Sequence, residues 1–282
     1  MKFQEFIGID VSKSSIDVVL HHPAVHNQFP NNETGYQALI TWSREHLTCS
    51  LEQVLFAFEH TGLYSLPLAL FLSQQDYQFT LLPGLELKRS MGMLRGKSDH
   101  GDAKAIATYA YEKQHKIRLY QMPSQVILKL KRLLSYRERL VKEKAAFQGR
   151  MKEYRDFLDN KEYSLLIASH QRMLTSLSQE ITIIEEEMRN LVQEDQELAR
   201  QFQLINSIKG VGAQTALMMI VLTNGFSSFK EWRKFASYAG IAPFPNASGT
   251  FKGRTKVNHM ANKTIKSLLN CCATCAIQFN PE

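Results

Sequence analysis

The stretch FQEFIGIDV, residues 3–11, decides the fold at the amino end of the chain. Its apolar residues run up to Asp10, so it predicts a buried β-strand that ends in a carboxylate. A second apolar run, VLFAFE at residues 54–59, is typical of a central strand and ends in Glu59. A charged residue at the end of a buried strand is costly without a partner. We therefore expect the two strands to lie side by side, with Asp10 close to Glu59.

The segments around these two runs complete an α/β pattern. Residues 16–21 and 27–29 predict two short strands, and residues 31–34 have the composition of a helix N-cap. A predicted helix at 63–74 and a predicted strand at 79–82 follow VLFAFE. Three strands, helix, strand, helix, strand and then further helices indicate a mixed sheet flanked by helices.

A polar stretch, KSDHGDA at residues 97–103, leads into the next predicted helix. Asp99 and Asp102 are three residues apart, so on a helix they share one face. One interpretation is that two carboxylates at one spot hold a hard cation such as Mg²⁺. The alternative is an acidic first turn that only suits the helix dipole.

The topology connects this pair with the two strand ends. Asp10, Glu59, Asp99 and Asp102 together form a predicted cluster of four carboxylates. Such a cluster can hold two divalent ions about 4 Å apart over a phosphodiester. We predict a Mg²⁺ site, in which Mn²⁺ is expected to substitute.

The middle of the chain has helical periodicity from about residue 125 to 203. Apolar residues trace one face on each side of Asp159-Asn160, which predicts two long helices with a break between them. They are expected to form an antiparallel hairpin or coiled coil that spaces two domains or dimerises. His170 lies in the second apolar stripe and is interpreted as a core or boundary residue.

The last third begins with a Gly-x-Gly turn between two predicted helices. Lys209, Gly210 and Gly212 resemble a helix–hairpin–helix, in which glycines let the backbone approach a phosphate and the next helix offers free N–H groups. The alternative is a plain corner between helices. After Gln125 we expect only helices, with a loop at residues 244–250.

That loop contains Ser248 beside a glycine, just before three cationic residues. A serine in this setting is a candidate nucleophile toward phosphorus, with the cations holding the phosphate. Ser-Gly is also a common loop dipeptide. The candidate phosphate contacts are Lys252, Arg254 and Lys256.

Composition points to a nucleic-acid partner. The 282 residues carry 34 Lys and Arg against 27 Asp and Glu, a net charge of +7, and the basic residues gather in three clusters. One of these surrounds the acidic pair and includes Lys97; the alternative for each cluster is a solvated helix face.

The amino terminus lacks a signal peptide and no apolar run is long enough to span a membrane, so we expect a cytoplasmic protein with no membrane partner. Cys272 and Cys275 have the spacing of a metal knuckle or a redox pair, but no second ligand pair follows and residues 268–277 predict an apolar helix, so we expect buried structural cysteines there.

Taken together, these motifs resemble the DEDD transposase–recombinase family of bacterial insertion elements, relatives of the Piv DNA invertase. The matching pieces, in the family's order, are GIDVSK (8–13), FEHTGLY (58–64), KSDHGDA (97–103), IKGVG (208–212) and YAGIAP (238–243) with Ser248-Gly249. The resemblance covers essentially the whole chain. The joint pattern is specific, although no single piece is.

The resemblance implies an N-terminal domain similar to the RuvC Holliday-junction resolvase, of ribonuclease-H-like fold, with Asp10, Glu59, Asp99 and Asp102 binding Mg²⁺. It implies a C-terminal transposase domain in which Ser248 attacks DNA and forms a covalent phosphoserine. It further implies DNA partners (element ends and target), a homo-oligomer (dimer or tetramer) and guidance by a structured bridge RNA. The family continues with a further basic helical stretch, so this domain is expected to be C-terminally truncated.

The expected organisation is a catalytic domain at 1–118, a helical hairpin or coiled coil at 119–203, and an α-helical transposase domain at 204–282. Three other functions remain open from the residues. One is an actin-like sugar kinase or ATPase, which would need a second ribonuclease-H-like half. The others are a non-enzymatic nucleic-acid-binding protein and a junction nuclease that uses water and leaves no covalent adduct.

Overall fold

The chain folds as two compact units, Met1–Met122 and Pro123–Glu282. The computed structural model describes residues 3–90, 98–157, 162–257 and 261–279. The predicted helix break at Asp159-Asn160 and the basic residue Lys97 lie outside these ranges. The long helices and the C-terminal region belong to the second unit.

The first unit is the predicted α/β domain. Its elements are β1 (Glu5–Val11), β2 (Ser15–Leu20), β3 (His26–Pro30), α1 (Glu33–His46), a 3₁₀ turn (Leu51–Gln53), β4 (Val54–Glu59), α2 (Leu66–Gln74), β5 (Phe79–Leu82), α3 (Gly84–Ser90) and α4 (Asp99–Glu112). Asn32 caps α1 as predicted, since its side chain accepts a hydrogen bond from the Gly35 N–H. The helix expected from residue 63 begins only at Leu66, where Pro67 suits the first helical turn.

The five strands form one mixed sheet in the order β3-β2-β1-β4-β5. β1 and β2, and β2 and β3, are antiparallel, whereas β4 is parallel to both β1 and β5. The predicted pairing of the first strand with VLFAFE is therefore confirmed. A mixed sheet with this order, followed by many helices, fits a ribonuclease-H-like domain.

The two faces of the sheet carry different cores because successive side chains of a strand point to opposite faces. On one face, Ile7, Ile9 and Val11 of β1 pack in a cluster with residues of α1 and α2. On the other, Phe6 of β1 packs in a cluster with residues of α3 and α4. Asp10 lies four residues after Phe6 in β1, so the two side chains point to the same face of the sheet. Asp10 therefore lies on the face covered by α4.

Helix α4 lies directly on β1 because Gly8 has no side chain. A Cβ atom at Gly8 would lie 2.2 Å from the Ala103 carbonyl oxygen and 2.3 Å from the Ala107 nitrogen. Any larger residue would push the helix away from the strand. Gly8 therefore sets the distance between β1 and the helix that carries Asp99 and Asp102.

The second unit is mainly helical. Its elements are α5 (Gln125–Phe157), α6 (Ser164–Glu194), α7 (Gln196–Asn206), α8 (Ala213–Thr223), α9 (Trp232–Tyr238), β6 (Pro243–Ser248), β7 (Phe251–Val257) and α10 (Lys263–Phe279). α5 and α6 run antiparallel: Arg137 bonds to Glu185 at 2.6 Å, and His170 packs against the rings of Phe147 and Tyr154. The hairpin is thus present, while its coiled-coil character and a role in dimerisation stay predictions.

Two expectations for this unit are wrong. The second long helix does not continue to residue 203, because Asp195 interrupts it and caps α7 by accepting hydrogen bonds from the N–H groups of Glu197 and Leu198. The region after Gln125 is not only helical, because the expected loop at 244–250 forms most of β6 and the turn into β7. β6 is exposed along its whole length, so it lacks the apolar alternation that would have predicted a strand.

The structure also tests the expectations for the cysteines and for membrane-spanning helices. In α10, Cys271 and Cys275 are exposed and Cys272 is half-buried, so the prediction of buried structural cysteines in this helix is wrong; all four cysteines of the chain are free thiols. Within the described residues, no helix combines the length and the apolar character needed to cross a membrane.

Candidate active site

The site begins where two parallel strands end side by side. Ile9 of β1 pairs with Phe58 of β4, so Asp10 and Glu59 are the next positions in the same register. The residues just before them, Ile9 and Phe58, point away from α4 into the core on the other face of the sheet. Both carboxylates therefore lie on the α4 face of the sheet.

Glu59 occupies a space that a second glycine leaves open. A Cβ atom at Gly84, the first residue of α3, would lie 1.9 Å from the Glu59 Oε1. α3 is joined to α4 by a hydrogen bond of 2.6 Å that the Tyr109 hydroxyl donates to Glu86. The sequence analysis missed Gly84, because nothing in its immediate neighbours shows that a side chain from another strand needs the room.

Helix α4 presents Asp99 and Asp102 in its first turn. The cap of this helix is Ser98, whose hydroxyl accepts a hydrogen bond from the Gly101 N–H at 3.1 Å. Since Ser98 fills the capping role, neither aspartate is needed as the cap. The pair still suits the helix dipole, but capping does not account for two acids at this place.

The four predicted carboxylates are electrostatic neighbours. The pKa of the Asp10 carboxyl is raised from 3.8 to about 6, first by burial and then by the negative charges of Asp102, Asp99, Asp17 and Glu59. Within the ranges that the structure describes, however, no three His, Cys, Asp or Glu side chains gather closely enough to hold an ion. The carboxylates are therefore close enough to affect the pKa of Asp10 without forming a ligand cage.

This donor set fits a hard divalent cation. All four donors are carboxylates, which Mg²⁺ prefers over nitrogen or sulfur ligands. The pKa of Asp10 is raised first by burial and then by the neighbouring negative charges, and a bound cation would relieve the repulsion between those charges. The chemistry of the donors therefore fits Mg²⁺, and whether the ion binds here stays a prediction.

Asp17 is a fifth acid beside the site that the sequence analysis did not single out. It pairs directly with Asp10 across β1 and β2, which places both side chains on the same face. Asp17 is only 5% exposed and accepts hydrogen bonds from His26 at 2.8 Å and from the Gln28 amide at 2.9 Å. The His26 ring also contacts the ring of His100 on α4, with 4.4 Å between centroids.

These contacts join the strand edge to the start of α4. Asp17 accepts hydrogen bonds from two neighbours on β3, so its side chain is held in place beside Asp10. His100 lies between the two aspartates of α4 in sequence, so its contact with His26 helps to hold that turn over the sheet. The strand register reveals the contacts of Asp17, and the packing of α4 on the sheet reveals that of His100, which is far from His26 in the chain.

Ser248 lies at the tip of the β6–β7 hairpin. It pairs with Phe251, and the turn between them contains Gly249 with a φ of 57°, a conformation that favours glycine. The Ser248 side chain is exposed, so it is accessible to a large substrate. The glycine beside the serine thus has a structural reason in the turn.

The three basic residues of β7 are exposed, but they do not share one face with Ser248. Lys252 pairs with Ala247 and so lies on the face opposite to Ser248. The register shifts between Phe244 and Asn246, which places Arg254 at an irregularity and pairs Lys256 with Phe244. Phe244 lies four residues before Ser248 on β6, so its side chain points to the same face, and its pairing with Lys256 brings Lys256 to the face of Ser248.

The two glycines of the predicted helix–hairpin–helix differ in environment. Gly210 has a φ of 90°, and a Cβ atom there would lie 2.7 Å from the Cys272 carbonyl oxygen of α10. Gly210 therefore serves a close contact inside the unit. Gly212 caps α8 with nothing within 4 Å of its Cβ position, and Lys209 is exposed, so these two remain open to a phosphate.

The comparison with known families follows the same division of the chain. Residues 7–159 match the DEDD transposase domain of IS110 elements, and residues 202–282 match the IS116/IS110/IS902 transposase family. The chain belongs to the IS110 family of transposases. The resemblance drawn from its motifs is thereby confirmed, and the chain is a DNA transposase or recombinase rather than a sugar kinase or a non-enzymatic binding protein.

Two individual relatives match nearly the whole length of this IS110-family protein, and a third matches part of it. Pilin gene-inverting proteins of Moraxella bovis and Moraxella lacunata are each 28% identical over 279 residues, which cover 94% of this chain and 80% of theirs. The transposase for insertion sequence element IS1111A of Coxiella burnetii is 26% identical over 196 residues, 61% of this chain and 53% of that protein.

Proposed function

We propose that this IS110-family transposase cleaves and exchanges DNA strands in a reaction that requires Mg²⁺ and the hydroxyl of Ser248. The observation that carries the proposal is the convergence of four carboxylate charges on Asp10, in a chain whose family is that of transposases. Relatives named for inverting a pilin gene support strand exchange over simple cutting.

The metal would be held by Asp10, Glu59, Asp99 and Asp102, with Mn²⁺ able to replace Mg²⁺. When bound, the ion supplies polarisation of a phosphate oxygen and neutralises charge that develops on the oxygens around phosphorus. The protein's own part is to position the donors. Two strand ends and one helix turn present them, and the Gly8 contact fixes the distance between β1 and α4 before any substrate arrives.

Ser248 would act as the nucleophile. Its Oγ forms a bond to phosphorus while the bond from phosphorus to one deoxyribose oxygen breaks. The serine proton passes to solvent, and the released deoxyribose oxygen takes up a proton to become a hydroxyl. Attack of a hydroxyl from another strand on the phosphoserine reverses these steps and joins the new pair of ends. Lys256 would neutralise the phosphate, a role that its position on the same face of the hairpin supports.

Guidance by a structured bridge RNA and action as a dimer or tetramer complete the proposal. Both follow from the family resemblance, and the net charge of +7 is compatible with a polyanionic partner. The cleavage assay below therefore includes arms with and without the RNA encoded beside the element.

The test is a denaturing gel that resolves a covalent protein–DNA adduct. Wild type, Ser248→Ala and Asp102→Ala are incubated with labelled element ends, RNA and Mg²⁺, with Ser267→Ala of α10 as a matched serine control. We expect an adduct in wild type and in the control, and none in the other two variants or in EDTA. Cleavage that survives Ser248→Ala without an adduct would instead indicate a metal-dependent junction nuclease that uses water.

A further inference from the structure

The second unit contains an open cavity of about 380 Å³ between α6, α7 and α8. Its volume lies in the range of sites that bind small molecules in proteins. It belongs neither to the carboxylate cluster nor to the Ser248 hairpin. Its polar and aromatic lining includes Glu185, Arg189, Gln193, Phe202, Gln203 and Gln214.

The walls of the cavity combine an aromatic face with amide groups. Phe202 is half-buried and leans on the apolar core of the unit, so its ring is held in place. Gln193, Gln203 and Asn206 are exposed at the cavity. Each amide offers a donor and an acceptor side by side, which matches the hydrogen-bonding edge of a nucleobase. Aromatic rings stack on any base.

Gln214 adds an unused hydrogen-bond acceptor. Its Nε2 donates to Glu185 at 3.3 Å, which fixes the amide, while its Oε1 is buried and has no donor within the described part of the chain. A buried polar atom without a partner is costly. A ligand that brings an N–H group, such as an amino group of a base, would satisfy it.

The charges around the cavity favour an anion. Glu185 is neutralised by Arg137 at 2.6 Å. Arg189 lies one helical turn further along α6, and no ion pair found among the described residues includes it. The N-terminus of α8 also borders the cavity at Ala213, beyond a glycine cap that has no side chain. Free N–H groups at a helix N-terminus bind phosphate.

We propose that this cavity binds one unpaired nucleotide of the nucleic acid that the transposase handles. The base stacks on Phe202, the amides contact its edge, and the adjoining phosphate lies between Arg189 and the start of α8. The proposal deepens the proposed function and rests on it for the class of ligand. Single-stranded DNA and the unpaired part of an RNA present the same chemistry, and the experiment separates them.

The probe is a 12-nucleotide strand carrying one 2-aminopurine, whose fluorescence is quenched by stacking, made once as DNA and once as RNA. The full chain is titrated into each. Phe202→Leu keeps an apolar side chain but removes the ring, so we expect loss of quenching and about tenfold weaker binding. Arg189→Ala should lower the slope of log K against log salt by about 0.7, while Arg172→Ala, an exposed arginine elsewhere on α6, should leave it unchanged.

Thermal melting confirms that each variant is folded before titration, and Gln203→Ala tests the cavity without touching the core. Loss of quenching in folded Phe202→Leu supports the cavity whether or not wild type forms the Ser248 adduct. Unchanged quenching in Phe202→Leu, or no quenching in wild type with either strand, overturns the cavity even if the adduct forms. The strand that is quenched more strongly identifies DNA or RNA as the natural ligand.

Discussion

The Asp10→Asn substitution is expected to stabilise the metal-free protein above pH 6 and to leave its stability unchanged below about pH 4. Burial and the four neighbouring acids raise the pKa of Asp10 from 3.8 to about 6 in the folded state. The folded protein therefore binds this proton more tightly than the unfolded chain does. Stability falls as the pH rises from about 4 to about 6, and stays lower above that range. Asparagine removes the charge and with it the loss.

The size of the effect follows from the same values. The difference between 3.8 and about 6 corresponds to about 3 kcal/mol at 1.36 kcal/mol per pKa unit. Asp10 is only half-buried, so solvent screening reduces this to about 1 kcal/mol. For a protein of this size, about 1 kcal/mol shifts the melting temperature by about 3 °C.

The assay is thermal melting in EDTA from pH 4 to pH 8, for wild type, Asp10→Asn and the exposed-acid control Asp156→Asn. A second series adds Mg²⁺, which should raise the melting temperature of wild type above pH 6 and have a smaller effect on Asp10→Asn. Equal melting curves for wild type and Asp10→Asn at pH 8 in EDTA would refute the claim that neighbouring acids load this site with negative charge.

Three further substitutions test the scaffold of the site. Gly8→Ala should destabilise the first unit by about 1–3 kcal/mol or more, because its Cβ meets main-chain atoms of α4, and chemical denaturation measures this. Gly84→Ala should displace the Glu59 carboxylate, so we expect a folded protein by circular dichroism with loss of adduct formation; retained adduct would contradict that role. His26→Ala leaves the buried Asp17 with one hydrogen bond fewer and should cost about 1–3 kcal/mol in urea unfolding, whereas no change would show that water replaces the ring.

The parts of the fold that the sequence predicts are those carried by continuous apolar patterns. FQEFIGIDV and VLFAFE each read as buried strands, and their acidic ends met in register as expected. Asp99 and Asp102 were found from spacing alone, because a helix face depends only on residues close in sequence. These local patterns sufficed to locate Asp10 and three of the four acids around it.

What the sequence could not predict depends on register and on packing between distant segments. Asp17 became a neighbour of Asp10 only through the pairing of β1 with β2, and its partners came from β3. The β6–β7 hairpin has no buried face, so no apolar alternation marked it. The glycine at residue 210 looked like a phosphate contact, but its neighbour on α10 is more than sixty residues away in the chain.

The contact at Gly8 makes the spacing of the acids independent of the packing of the hydrophobic core. Because main-chain atoms of β1 and α4 touch there, the spacing of the acids is a backbone dimension and does not depend on how side chains fill a core. Ile7 and Ile9 point to the opposite face. Hydrophobic substitutions on that face can therefore tune the thermal stability of the transposase while its chemistry stays constant, which makes that face the place to begin when a more robust variant is engineered.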